Sequence, residues 1–167
     1  GLKISIAMSI QFPWIKKYPK HVSETIGALD HSSLSELFSA ASARYGNKVA
    51  FENMGVTLTF KEVERLSDAF AAYLQNTLNL KKGERIAIQM PNLLQFPIAF
   101  IGSLKAGLIV VNTNPLYTPR EMEHQFRDAG ISAIVIVENF AASLEAIREK
   151  VPARHIIVTS MEIGRAH

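Results

Sequence analysis

Apolar residues recur with a helical period of three to four positions in the first half of the chain. Residues 34–46 carry such a pattern, with a capping-box sequence at Ser33 and Glu36 and a glycine at the end, which predicts one helix. A second capping box, Thr59 to Glu62, precedes an apolar stripe over residues 63–78. This stripe predicts a longer helix with one face in the core.

Between these two helices lies a pattern typical of a β-hairpin. Residues 49–51 and 56–58 are short runs rich in β-formers, and Asn53, Met54 and Gly55 separate them. Glycine favours the positive φ that tight hairpin turns require. The sequence therefore predicts two antiparallel strands that turn at Gly55.

From Lys81 onward, short strand-like runs alternate with helical segments. The strand-like runs cover residues 85–90, 108–111, 133–137 and 155–159, and the helical segments cover 93–106, 119–129 and 141–149. Each spacing leaves room for a crossover helix between parallel strands. Thr118, Pro119 and Glu121 form a strong helix start. The fold class predicted is α/β, a mostly parallel sheet with helices on both faces, preceded by a helix and a hairpin.

Ligands of open parallel sheets bind outside the carboxyl ends of the strands. Here those ends fall at residues 90–92, 112–115 and 138–139. Two interpretations stay open for the asparagines found there. They cap the helices that follow, a role for which Asn is favoured, or Asn112, Asn114 and Tyr117 line a ligand crevice.

Composition and charge exclude several classes of protein. The 167 residues include no Cys, which rules out disulfides, thiolate catalysis, zinc fingers and iron–sulfur clusters. The net charge of +3 arises from Lys3, Lys16, Lys17 and Lys20, because the first twenty residues contain no acidic group. A basic arm on a neutral body does not indicate nucleic-acid binding. It leaves weak peripheral contact with anionic lipid as an alternative.

Searches for local catalytic patterns find none. The nine glycines form no GxGxxG, Walker or GxSxG motif, and the five histidines never lie at metal-ligand spacing. His124 is expected on a solvated helix face and Ser103 in a packed helix. The apolar segment 93–104 is too short to span a bilayer. No catalytic residue and no metal site is predicted within this chain.

Three segments nevertheless resemble a known family in order and spacing. Residues 58–63, Leu-Thr-Phe-Lys-Glu-Val, resemble the early L-T-Y/F-x-E-L motif of acyl-adenylate-forming enzymes. Residues 104–107, Leu-Lys-Ala-Gly, followed by Val-Asn-Thr-Asn-Pro-Leu-Tyr-Thr at 111–118, resemble their second motif, and residues 83–92 are similar to the strand and turn between the two. The form of the second motif and the arm at 14–19 are similar to those of bacterial long-chain fatty-acid–CoA ligases.

The resemblance implies an N-terminal subdomain of the adenylate-forming fold and a parent enzyme of the AMP-forming acid–thiol ligase class. Such a parent uses ATP, Mg²⁺ and coenzyme A to convert a fatty acid to an acyl-adenylate and then to a thioester. The resemblance also implies that the phosphate-binding loop lies beyond His167, so that this chain alone is inactive. It implies that Asn112, Asn114, Leu116 and Tyr117 approach the substrate or coenzyme A tunnel. A cytoplasmic parent, with peripheral contact at the inner membrane face, is expected.

The predicted organisation has four segments. Residues 1–8 are leader residues ahead of a natural start at Met8, or foreign to the protein. Residues 9–31 form an extended arm, 32–160 a partial N-terminal ligase domain, and 161–167 a tail. A partial domain leaves a sheet edge uncovered, which predicts a homodimer or self-association. The alternative function is a standalone Rossmann-like ligand-binding or interaction module, which saturable binding of a nucleotide or acyl-CoA by this chain would favour.

Overall fold

The computed structural model describes residues 31–161, with side chains from Ser33 onward. The predictions for residues 1–8, for the arm before His31 and for the tail after Met161 lie outside the described residues. Helix α1 spans His31–Tyr45. Ser33 lies inside this helix rather than ahead of it, so the helix start predicted at Ser33 is wrong.

The predicted hairpin is confirmed. Strands β1, Val49–Asn53, and β2, Val56–Thr59, pair antiparallel. The two residues between them, Met54 and Gly55, both have positive φ, at 51° and 78°. Two-residue hairpin turns favour this left-handed backbone because it matches the twist of the strands.

The second predicted helix is confirmed together with its capping box. Helix α2 spans Phe60–Ala72, and the Thr59 side chain accepts from the Glu62 N–H while the Glu62 carboxylate accepts from the Thr59 N–H. The helical path continues as one π-helical segment, Tyr73–Thr77. Leu74 is fully buried there, so the apolar stripe reaches the core along most of its predicted length.

A four-stranded, fully parallel sheet forms the centre of the fold. Its strands are β3 (Arg85–Gln89), β4 (Ile109–Thr113), β5 (Ala133–Val137) and β6 (His155–Thr159). The strand order is β4-β3-β5-β6. Four strand-like runs were predicted, and all four are strands. The end predicted for the second run at residue 111 is wrong, because the ladder continues through Asn112 and Thr113, opposite Ile88 and Gln89.

Three α-helices connect these strands. Helix α3 spans Gln95–Lys105, α4 spans Pro119–Ala129 as predicted, and α5 spans only Ala141–Glu145. The helix predicted over 141–149 therefore breaks after Glu145, and a short 3₁₀ turn follows at Arg148–Lys150. Thr118 caps α4 with a second complete capping box, and Gly130 ends it in the left-handed conformation.

The sheet has an apolar core on each face, as the prediction of helices on both faces requires. On one face, Ile86, Ile88 and Val135 pack with helices α1, α2 and α3. On the other, Ile134 and Ile136 pack with α4 and α5. All of β5 is buried, whereas β4 and β6 at the sheet edges are partly exposed. Within residues 31–161, no helix combines the length and apolar character needed to cross a membrane.

Candidate ligand-binding edge of the sheet

The strand order shows where the chain switches from adding strands on one side of β3 to adding them on the other. From β3 the chain crosses to β4 on one side, and from β4 it crosses back past β3 to β5 on the other. A doubly wound sheet opens a crevice at such a switch point, at the carboxyl ends of the two strands concerned. Here those strands are β3 and β5, which end at Gln89 and Val137.

The predicted site residues lie beside this switch point rather than in it. Asn112, Asn114, Leu116 and Tyr117 belong to the end of β4 and the turn after it, and β4 is an edge strand in the described part of the chain. The Asn112 side chain is exposed, Leu116 is 82% exposed, and Tyr117 is partly buried against the core under α4. The structure thus brings these four together at one corner of the carboxyl edge.

Asn114 shapes the turn itself. Its side-chain Oδ1 accepts from the Leu116 N–H at 2.9 Å, and its carbonyl accepts from the Tyr117 N–H at 3.1 Å. An Asx bond of this kind replaces a backbone turn contact. Since Thr118 caps α4, the interpretation of Asn112 and Asn114 as caps of that helix is wrong. Their position leaves the ligand interpretation untested.

Four buried polar side chains near the carboxyl ends of the strands were missed by the sequence analysis. These are Gln89, Gln95, Thr113 and Thr159, each at most 4% exposed. Gln89 donates from Nε2 to the Asn114 carbonyl at 3.3 Å, and Gln95 donates from Nε2 to Thr159 Oγ1 at 3.1 Å. The available signal was polar residues within strongly apolar runs, which ordinarily require a buried partner.

Three of these side chains retain an unpartnered polar atom. Gln89 Oε1, Gln95 Oε1 and Thr113 Oγ1 are buried with no hydrogen-bond partner among the described residues. An unsatisfied buried polar atom costs on the order of 1–3 kcal/mol. The carboxyl edge therefore carries unused hydrogen-bonding capacity, most of it as carboxamide oxygens that accept N–H or O–H groups.

A groove of about 510 Å³ runs along α4 next to the Asn114 turn. Tyr117, Arg120 and His124 line it together with the carboxylates of Glu121 and Asp128. His124 is exposed, in agreement with the solvated face predicted for it. The Glu121 carboxylate already accepts from the Thr118 N–H in the capping box. With both basic and acidic side chains in its lining, the groove does not favour a ligand of one particular charge.

A charged cluster around Glu84 lies at the opposite, amino edge of the sheet. Glu84 accepts from Arg154 at 2.9 Å, from the Lys81 N–H at 2.7 Å and from Ser132 Oγ at 3.1 Å. The Arg154 hydrogen bond, followed by that of Lys81, lowers the pKa of Glu84 to about 2. Because the strands have their amino ends here, and ligands of parallel sheets bind at the carboxyl ends, we assign this cluster a structural role.

Neither edge presents a metal site in the described part of the chain. Among residues 31–161, no three His, Asp or Glu side chains come together so as to hold a metal ion. Ser103 is fully buried within α3, in agreement with the packed position predicted for it.

Comparison with known proteins agrees with this architecture. Residues 38–165 match the family of AMP-binding enzymes. The chain is 54% identical over 148 residues to a long-chain-fatty-acid–CoA ligase of Salmonella typhimurium, covering 89% of this chain and 26% of that protein. It is 36% identical over 157 residues to the ligase of the same name from Bacillus subtilis, covering 93% and 27%. The chain therefore spans about a quarter of the length of these relatives.

Solved structures share the fold at lower identity. A long-chain-fatty-acid–CoA ligase from Archaeoglobus fulgidus superposes with a TM-score of 0.69 at 21% identity, over 75% of this chain and 27% of that one. A benzoate–CoA ligase from Burkholderia xenovorans gives a TM-score of 0.71 at 22% identity, over 81% and 27%. These similarities confirm the predicted α/β fold class of an adenylate-forming N-terminal domain.

Proposed function

The chain belongs to the AMP-binding enzyme family, and on that premise we propose that it is the N-terminal part of a long-chain fatty-acid–CoA ligase. The observation that carries this proposal is the 54% identity over 148 residues to a curated protein of that name. All three segments that suggested the family from sequence, 58–63, 83–92 and 104–118, fall inside the family match.

The reaction proposed for the whole enzyme has two steps. The fatty-acid carboxylate attacks the α-phosphorus of ATP, forming an acyl-adenylate and releasing pyrophosphate. The thiol of coenzyme A then attacks the acyl carbon, forming the thioester and releasing AMP. ATP and coenzyme A are thus proposed as co-substrates. Mg²⁺ is proposed as the ion that accompanies ATP, and residues 31–161 contain no cluster that would hold it.

The part assigned to this chain is shaping the substrate path. We place Asn112, Asn114, Leu116 and Tyr117 at the fatty-acid or coenzyme A tunnel. Their corner of the carboxyl edge, the exposed Leu116 and the rigid turn made by Asn114 support this placement. The exposed Leu116 and the adjacent, partly buried Tyr117 would provide the apolar contact for an acyl or pantetheine chain.

The isolated chain is proposed to be inactive. Its sequence contains none of the glycine motifs that cradle triphosphate, and residues 31–161 contain no group of three His, Asp or Glu side chains that would hold a metal ion. Its location is proposed to be cytoplasmic, with peripheral contact at the inner membrane face through the lysines of the first twenty residues.

The test replaces the matching 148-residue segment of the Salmonella typhimurium ligase with the segment from this chain. Palmitate, ATP and coenzyme A are supplied, and palmitoyl-CoA and AMP are measured. We expect both products from the chimera and neither from the 167-residue chain alone. A folded chimera that forms no palmitoyl-CoA would contradict the ligase proposal. Saturable binding of ATP or palmitoyl-CoA by the isolated chain would favour the standalone binding module instead.

A further inference from the structure

Gln95 occupies an unusual place for a buried carboxamide. It is the first residue of α3, the helix that follows β3, yet its hydrogen-bond partners lie 64 and 65 residues later at the end of β6. In the sheet, β5 separates β3 from β6. The Gln95 side chain therefore connects the β3–α3 junction to β6 across the carboxyl end of β5.

That path crosses the switch-point crevice on the face covered by α1, α2 and α3. Strands are spaced about 4.8 Å apart, so a link from the β3 side to β6 passes over the width of one intervening strand. Ile157, two residues before Thr159, packs into the core of the same face. A parallel-strand residue two positions away points to the same side, which places Thr159 on this face as well.

Gln95 makes two hydrogen bonds to the end of β6. Its Nε2 group donates to Thr159 Oγ1 at 3.1 Å and makes a short contact with the Ser160 carbonyl. Both Gln95 and Thr159 are fully buried. Because Gln95 Oε1 is buried and unpartnered, the amide orientation is set by donation to β6 rather than by a partner for its oxygen.

We infer that Gln95 is a positioning residue for the ligase reaction, a strut that fixes the end of β6 relative to the β3–β5 crevice and closes that crevice on the α1–α3 face. Ligands then reach the carboxyl edge from the α4–α5 face, the side on which Tyr117 packs. The kinetic consequence of this inference rests on the proposed function. The strut itself depends only on the hydrogen bonds among residues 95, 159 and 160.

The first experiment tests the strut in the 167-residue chain, independently of activity. Amide hydrogen exchange is measured at Ser160 and Met161 in Gln95→Leu, relative to the Ile109 amide at the other end of the sheet. We expect exchange at both positions to rise by about tenfold or more while Ile109 is unchanged. Thr159→Val, which keeps the Ser160 carbonyl contact, should give a smaller rise. Exchange unchanged in Gln95→Leu would overturn the inference.

The second experiment measures kinetics in the chimera described above, well below its unfolding temperature. Gln95→Leu should lower kcat/KM for palmitoyl-CoA formation by about tenfold, mainly by raising KM, because a mispositioned edge weakens substrate binding. Ser103→Ala is the matched control, because Ser103 is also buried in α3 and its hydroxyl has no partner among the described residues. It should leave both constants unchanged.

The outcomes separate the two proposals. A chimera that is inactive with Gln95 intact rejects the ligase proposal, and the exchange measurement still decides whether the strut exists. An active chimera in which Gln95→Leu and Ser103→Ala have the same kinetic constants rejects the positioning role even if exchange is raised. Faster exchange together with a raised KM in Gln95→Leu alone supports the inference.

Discussion

The Lys105 ammonium lies 2.7 Å from a carboxylate oxygen of Glu64, and the two side chains are only 12% and 25% exposed. Lys105 also donates to Ser67 Oγ at 2.9 Å, and Glu64 accepts from Ser39 on α1. This charged cluster joins α1, α2 and α3. The lysine belongs to the Leu-Lys-Ala-Gly segment at 104–107, so in this structure that segment helps to hold the three helices together.

Removing the lysine should be costly, because it leaves the Glu64 carboxylate partly buried without its cation. We expect Lys105→Ala to lower the free energy of unfolding by about 3 kcal/mol, measured by urea denaturation. The matched control is Arg127→Ala, which breaks the more exposed 3.3 Å pair with Glu123 on α4 and should cost no more than about 0.5 kcal/mol. Equal losses in the two variants would contradict the buried-cluster interpretation.

The Glu84 cluster predicts a pH dependence of stability. Arg154 and Lys81 hold the pKa of Glu84 at about 2, against an ordinary value of 4.5. Because the pKa is lowered on folding, the stabilisation is fully present above about pH 4.5 and is lost as the pH falls towards 2. Glu84→Gln should cost on the order of 1–2 kcal/mol at pH 7, since the half-exposed Arg154 is screened by solvent.

The measurement is urea denaturation of the wild type and Glu84→Gln between pH 7 and pH 2.5. The two stabilities should converge as the pH falls. The control is Glu149→Gln, which removes an exposed carboxylate and should run parallel to the wild type. A Glu84→Gln deficit that stays constant with pH would show that the carboxylate charge is not its cause.

Gly102 allows α3 to approach α2 closely. A Cβ at this position would lie 2.9 Å from the Ser67 carbonyl oxygen and 3.1 Å from Phe70 Cβ. Gly102→Ala should therefore destabilise the chain by about 2 kcal/mol through forced separation of the helices. At Gly130, where φ is 62° and nothing lies within 4 Å, alanine meets only backbone strain of about 1 kcal/mol. Thermal unfolding of both variants compares the cost of steric crowding at Gly102 with the cost of backbone strain at Gly130, and the Gly102→Ala loss should be the larger.

Asn114 offers a test of the proposed tunnel. Asn114→Asp keeps a side-chain oxygen that accepts from the Leu116 N–H, whereas Asn114→Ala removes it. In the chimera, we expect Asn114→Ala to raise KM for fatty acid or coenzyme A about threefold to tenfold and Asn114→Asp to change it less. If both variants keep the original kinetic constants for both substrates, Asn114 has only a structural role in the turn and the tunnel placement is contradicted.

The isolated chain should self-associate. Strands β4 and β6 are the edges of the sheet within residues 31–161, and β6 is a run of His-Ile-Ile-Val-Thr without a charged residue or proline to block pairing. Sedimentation velocity at increasing concentration should show dimers or larger species. A strictly monomeric profile up to high concentration would contradict this prediction and the homodimer expectation with it.

Local elements were predictable where a short sequence pattern has only one low-energy conformation. Thr59 and Thr118 each precede a glutamate by three residues, and both capping boxes formed as predicted. Gly55 turned the hairpin because positive φ is costly for other residues. The cap predicted at Ser33 was wrong because serine also occurs inside helices, and the local pattern does not say which of the two positions it occupies.

The sequence by itself determined the alternation of strands and helices, the parallel sheet and, through short motifs, the family, since periodicity and caps act over a few neighbouring residues. Only the tertiary structure decided the strand order, which sets β4 at an edge and the crevice between β3 and β5. It also decided that Gln95 meets Thr159 and that Lys105 meets Glu64. These pairs are 64 and 41 residues apart, and a buried polar side chain shows in the sequence that it needs a partner but not which element supplies it.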